Sequence, residues 1–281
     1  MGLLSGMEKF GLSKFKNANV MEEVSEEVKP ANIQVEEKKE PPFNEEDVLF
    51  DKHYTCPVCD YTFTTRSVRA GKVRLLNHDT DLRPIYGKMD VLKYDVISCE
   101  KCGYSALIRY FGKLTVKQSR AIKEAVGNSF SGISNKNRVF TYDDAISRYK
   151  LALLTAMVKN AKQSEKAYIC LKLAWIYRGK LEGLDKNDPQ RDEIYKEELE
   201  CISNAYEGFL LALSNEPLPI AGMDENTLKY VLADLARRLK KYEESIKLLG
   251  QVIISKTTND RLKKMALDMK DVLKQEVEEN K

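Results

Sequence analysis

From Thr141 onward apolar residues recur at three- and four-residue spacing, the period of a helix that buries one face. A local pattern repeats within that stretch. Ala145, Tyr149 and Ala152 form a small–aromatic–small triplet, Ala205, Phe209 and Ala212 repeat it, and Ser245, Leu249 and Val252 make a weaker third copy. Small residues let helices approach closely while the larger one fills the gap between them, as in the second helix of a tetratricopeptide repeat. Leu173, Ala174 and Tyr177 precede the second copy, and Leu232, Ala233 and Ala236 precede the third, as matching first helices would. R-L-K-K-Y-E-E is the short turn expected inside one repeat, whereas G-L-D-K-N-D-P-Q-R predicts an enlarged loop or longer helices. A plain helical bundle whose alanines mark close crossings is the alternative. The pattern predicts a connecting helix over 114–129, then the loop S-G-I-S-N-K-N-R, and a final helix over 260–278 that caps the array.

Before Thr141 the period changes. Y-T-F-T-T-R and K-Y-D-V-I-S alternate in the manner of strands, and each adjoins a pair of cysteines. Cys56 and Cys59 stand in C-P-V-C-D-Y, Cys99 and Cys102 in C-E-K-C-G-Y. Two residues between thiols let one tight turn aim both sulfurs at a point ~2.3 Å away, and two such turns complete a tetrahedron. Gly103 suits the left-handed backbone that often follows the second thiol, and Asp60 is a tolerated occupant of the equivalent place. The stretch between Cys59 and Cys99 exceeds the roughly 15–20 residues common in such sites, so residues 77–90 read as an insertion.

These features predict an α+β protein with four parts: a tail over 1–50, a β-rich zinc ribbon over 51–113, a connecting helix and loop over 114–140, and a tetratricopeptide-like helical domain over 141–281. The metal expected is structural zinc on Cys56, Cys59, Cys99 and Cys102, since four thiolates leave no open position for water. An iron–sulfur cluster takes the same ligands. A thioredoxin-like role for C-P-V-C is disfavoured because strand, not helix, follows it. A disulfide framework is disfavoured in a chain with no export signal. Cys170 and Cys201 fall on helical stripes, where a thiol is usually a core residue. His53 and His78 read as solvated.

Charge then divides the 281 residues. Residues 1–50 hold 6 Lys/Arg against 11 Asp/Glu, residues 51–140 hold 16 against 8, and residues 141–281 hold 24 of each. Pro30, Pro41 and Pro42 sit among charged residues, which predicts a flexible linker over 20–44. Ahead of it, Leu3, Met7 and Phe10 share a helical stripe, the spacing of a short docking helix. No apolar run reaches the ~18 residues of a membrane span, and nothing argues for export, so the chain reads as cytoplasmic. Arg66, Arg69, Lys72, Arg74 and Arg83 lie among aromatic residues, the make-up of a phosphate-binding face.

Taken together, the start M-G-L-L-S-G-M-E-K-F-G-L, F-D-K-x-Y-T-C-P-V-C, D-L-R-P-I-Y and K-Y-D-V-I-S-C-x-K-C-G-Y-S-A resemble a family of uncharacterised bacterial proteins. The resemblance implies an N-terminal zinc ribbon joined to tetratricopeptide-like helices and no reaction. The expected function is a non-enzymatic, zinc-binding adaptor holding a protein or peptide in the groove of its array, with Tyr177 and Trp175 as candidate contacts. The alternative is a nucleic-acid-binding regulator using Arg66, Arg69, Lys72 and Arg74. No nucleophile, acid–base pair or phosphate loop is recognisable, so catalysis is not expected unless a deep pocket gathers Asp79, Asp81 and Asp90.

Overall fold

The computed structural model describes residues 43–279, which belong to one compact unit. The docking helix and most of the acidic tail lie outside the described residues. Among those described, three two-stranded antiparallel sheets precede seven α-helices, so the architecture is α+β with no closed sheet. No helix among them is long and apolar enough to cross a membrane.

Strands β1 (Leu49–Thr55) and β2 (Thr62–Val68) pair from Leu49↔Val68 to Thr55↔Thr62, and the turn joining them holds the first cysteine pair. Strands β5 (Val96–Ser98) and β6 (Ser105–Leu107) do the same around the second. Between the two, the insertion folds into its own hairpin, β3 (Leu75–His78) with β4 (Pro84–Tyr86). The expected strand at K-Y-D-V-I-S begins late, because Val91–Tyr94 is a 3₁₀ turn. Asp90 caps that turn by accepting from the Leu92 amide at 2.9 Å, and Glu45 holds both Lys93 and Tyr94.

Helix α1 (Val116–Ile122) opens on a capping box of Thr115 and Gln118 and runs into a π-turn over Lys123–Gly127. Then come α2 (Tyr142–Val158), α3 (Gln163–Glu182), α4 (Arg191–Asn215), α5 (Glu225–Arg238), α6 (Tyr242–Ile254) and α7 (Asp260–Glu279), each packed on its chain neighbour. The three triplets sit in α2, α4 and α6, and every one of their residues is buried. Even the polar member fits, since Ser245 donates to the Ala233 carbonyl at 2.7 Å. Gly208 carries the close approach of α4 to α3: a Cβ there would lie 2.9 Å from that of Ala167. Between α3 and α4 both expectations hold, because the helices are long and an eight-residue connection separates them.

The N-terminal strands and the helices share one core. Leu92, Val96 and Leu107 pack with Ala145, Tyr149 and Ala152 of α2 and with the apolar face of α3. Tyr149 donates to the Leu92 carbonyl at 3.1 Å, and the Thr155 hydroxyl donates to the Ser105 carbonyl. Burying these hydroxyls costs little because each donates to a backbone carbonyl.

Candidate metal centre

The two cysteine turns have the same backbone design. In the first, the Cys56 amide donates to the Tyr61 carbonyl and the Asp60 amide to the Cys56 carbonyl, both at 3.0 Å; in the second, Cys99 and Gly103 donate to Tyr104 and Cys99 at 2.8 and 3.0 Å. Each turn closes through a left-handed residue, Asp60 at φ 57° and Gly103 at φ 72°. The two turns meet face to face. Cys56 Sγ lies 3.5 Å from Cys102 Sγ, and Cys59 Sγ 3.7 Å from Cys99 Sγ, with all four sulfurs within 4.8 Å of one another. A tetrahedron of ~2.3 Å metal–sulfur bonds has edges of about 3.8 Å. The cluster therefore has the dimensions to hold one metal ion, zinc among the fitting ions.

Its surroundings are apolar and aromatic. Cys56, Cys99 and Cys102 are buried among Val58, Phe63, Ile97, Tyr104 and Ile122, and the rings of Tyr54, Tyr104 and Phe111 pack edge and face around them. The buried thiols of Cys56, Cys99 and Cys102 also compete for protons. Hydrogen bonds from Cys102 and Cys56 hold Cys99 down to about 2, while bonding with Cys102 and Cys99, together with burial, drives Cys56 far up. A divalent cation removes the competition by taking all four as thiolates.

Gly103 offers a direct check on this turn. A Cβ there would meet Phe130 Cδ2 at 2.7 Å, on a backbone where L-residues pay ~1–2 kcal/mol. Gly103→Ala is expected to weaken metal retention in a chelator competition by tenfold or more. Gly71→Ala is the control, with φ 74° but nothing within 4 Å, and should leave retention unchanged.

The sequence profile of a bacterial family, described as "uncharacterized protein conserved in bacteria (DUF2225)", matches residues 49–273 and so takes in both cysteine turns and six of the seven helices, with most of the last. The chain belongs to the DUF2225 family. No curated protein and no solved structure matches it.

In this DUF2225 chain the other expected contact residues are used internally. The indole N–H of Trp175 donates to Asp81 Oδ2 at 2.9 Å, and the Tyr177 hydroxyl donates to Glu197 Oε2 at 2.7 Å; both side chains are buried. Asp81 comes from D-L-R-P-I-Y, whose hairpin docks on α3 and α5. Arg178 binds Asp81, Asp79 and Glu198 at 2.8, 2.7 and 2.8 Å, and Arg238 reaches the same aspartates from α5. Burial alone would raise Asp81, but Arg178 and Arg238 outweigh it and hold the carboxyl below the ordinary range, and Asp79 behaves likewise. Asp90 lies apart from this network, accepting from Leu92 N and, at 3.4 Å, from the Tyr142 hydroxyl; burial raises its carboxyl. These three carboxylates thus hold the hairpin and its neighbouring turn in place.

The basic face is thinner than its sequence promised. Arg83 is buried and grips Glu182 through two bonds of 2.7 and 2.6 Å. Arg66 pairs with Asp51 at 3.1 Å, while Arg69, which lies over the Phe50 ring, Lys72 and Arg74 have no carboxylate partner among the described residues. His53 is exposed, His78 is half-buried at the hairpin, Cys170 is buried and Cys201 half-buried. The Asp81–Arg178–Trp175 network went unforeseen; its one sequence signal was D-L-R-P-I-Y, to which no local pattern assigns a partner.

Proposed function

We propose that the protein is a non-enzymatic adaptor: a zinc-stapled ribbon fused to a tetratricopeptide-like array that takes a protein or peptide partner. Four thiolates complete the metal's coordination, so the ion staples and has no position left for a substrate. A cytoplasmic setting suits thiols that must stay reduced. The buried triplets, small–aromatic–small in α2 and α4 and a weaker copy in α6, support the repeat reading.

The observation that carries partner binding is an apolar strip on the array. Leu154 and Met157 of α2 and Leu211 of α4 are 43%, 57% and 50% exposed, and Met157 and Leu211 flank a groove of about 280 Å³ floored by Ala167, Cys170 and Gly208. Large apolar side chains grouped at a groove mark interaction surfaces more often than scattered ones do. Trp175 and Tyr177 are engaged within the chain, so this groove is the better partner surface.

Met157→Glu and Leu211→Glu are surface changes expected to shift stability by no more than ~0.5 kcal/mol. Each should abolish retention of a partner that the metal-loaded wild type captures from a bacterial lysate. Retention unchanged in both variants would reject the surface, and capture of nothing at any salt would reject the adaptor reading. The nucleic-acid alternative uses Arg66, Arg69, Lys72 and Arg74, and it requires binding that falls steeply with salt as counterions are released.

A further inference from the structure

The positive charge of residues 51–140 is concentrated in their second part. Residues 101–140 hold 8 Lys/Arg against 1 Asp/Glu, whereas residues 51–100 hold 8 against 7. The first part also spends charge inside the fold, on the pairs Arg66–Asp51, Arg83–Glu182 and Lys93–Glu45. In the second, Arg138 alone pairs with a carboxylate among the described residues, Glu46 at 3.5 Å, and Arg109 donates to the Ala221 carbonyl at 2.8 Å.

Four of the remaining cations gather on one short segment. Lys113 precedes α1, Lys117 and Arg120 lie on it, and Lys123 opens the π-turn. All four are exposed, and none has a carboxylate partner among the described residues. Glu124 is the one acid in the stretch. The other side of the segment is anchored. Ile122 and Val126 are buried with Cys56, Cys99 and Cys102, the Ser119 hydroxyl donates to the Pro57 carbonyl at 3.1 Å, and the Gln118 amide donates to the Lys159 carbonyl at 3.1 Å.

Like charges held together without counter-ions destabilise the fold that carries them, so the ridge calls for a polyanion from outside. The surface discriminates among polyanions. A protein or a membrane would bury apolar area, and Val116, 81% exposed, is the single large apolar side chain that α1 exposes. A single-stranded nucleic acid is gripped by rings that stack on its bases, and none of the five aromatic residues in 101–140 is exposed. A duplex is held by its phosphates alone, and the major groove of B-form DNA admits a helix that the narrow groove of duplex RNA excludes.

We propose that α1 and its flanks bind the phosphate backbone of double-stranded DNA without reading its sequence, through Lys113, Lys117, Arg120 and Lys123. This surface uses neither the α2–α4 groove nor the cations Arg66, Arg69, Lys72 and Arg74, so each can fail without the others.

The test is fluorescence anisotropy of a labelled DNA duplex of about 20 base pairs, titrated with the full-length protein from ~50 to ~200 mM salt. Saturable binding is expected, with a slope of log affinity against log salt of about −3 to −4, as four phosphate contacts give. Lys117→Gln/Arg120→Gln should weaken binding at the lowest salt at least tenfold and reduce the slope by about 2, with the thermal midpoint unchanged because both side chains are exposed. Lys113→Gln/Lys123→Gln should do the same independently. Lys72→Gln/Arg74→Gln should alter neither quantity. The proposal is overturned by absence of saturable binding at the lowest salt, by wild-type affinity in both ridge variants, or by a loss confined to Lys72→Gln/Arg74→Gln. Tighter binding of a matched single strand, a matched RNA duplex, poly-L-glutamate or phosphatidylserine vesicles would overturn it as well.

Discussion

Cys99→Ser should release the metal and melt the ribbon, the largest single effect expected in this molecule. Cys99 is buried, sits 3.7 Å from Cys59 Sγ, and shares its turn with Cys102, so its loss opens one corner of the tetrahedron and slackens a second. Metal binding to such sites is itself folding free energy, apparently ~10–16 kcal/mol for zinc-finger peptides at neutral pH. The strands around the site are only three to seven residues long and cannot replace it with their own pairing. Circular dichroism and a colorimetric metal-release assay should show loss of ion and of strand signal together, with most helical signal kept, because the core joining α5, α6 and α7 contains no residue of the cysteine-bearing strands. Cys170→Ser and Cys201→Ser are the controls. Both lie outside the cluster and should keep the metal.

Arg178→Met is expected to destabilise the fold by about 3–5 kcal/mol, because it removes the cation bonded to buried Glu198 and leaves Asp81 with only the more distant Arg238 at 3.9 Å. Asp81 is fully buried and Glu198 nearly so, and both bond Arg178. Removing Asp81 as well, in Asp81→Leu/Arg178→Met, should recover part of that loss, since an uncompensated charge costs more than an absent pair. The pH dependence changes in a way that packing loss alone would not produce. In the wild type Asp79 and Asp81 titrate below the ordinary carboxylate range, so their contribution is present above that range and is lost as the pH falls through the folded-state values. In Arg178→Met only Arg238 still opposes the effect of burial on Asp81, so the variant should lose less stability on acidification than the wild type does. Trp175, the single tryptophan, donates to Asp81 and reports both transitions by its fluorescence. A variant whose stability falls with acid as the wild type's does would refute the assigned role of Arg178.

What could be read in the chain beforehand was local. Two residues between thiols determine where a turn can aim its sulfurs, so the paired cysteines, Gly103 and Asp60 foretold both turns down to their left-handed residues. The helical triplets likewise appear at one place in α2, α4 and α6 because periodicity records which face is buried. The insertion escaped this kind of reading. Asp81 meets Trp175 and Arg178 across separations of 94 and 97 residues, and no spacing rule brings a loop carboxylate to a helix that far away. The same distance explains Arg83, which looked like part of a basic surface and instead spends its charge on Glu182. Trp175 and Tyr177 both fall on a helix, but their partners Asp81 and Glu197 come from the insertion and from α4, which no local spacing records.

The measurement closest to the central claim is X-ray absorption at the metal edge of the purified full-length protein, paired with elemental analysis. One zinc per chain with four sulfur neighbours at ~2.3 Å is the predicted result. A folded chain that carries no metal and whose four clustered thiols all react with a thiol reagent at native stability would contradict it.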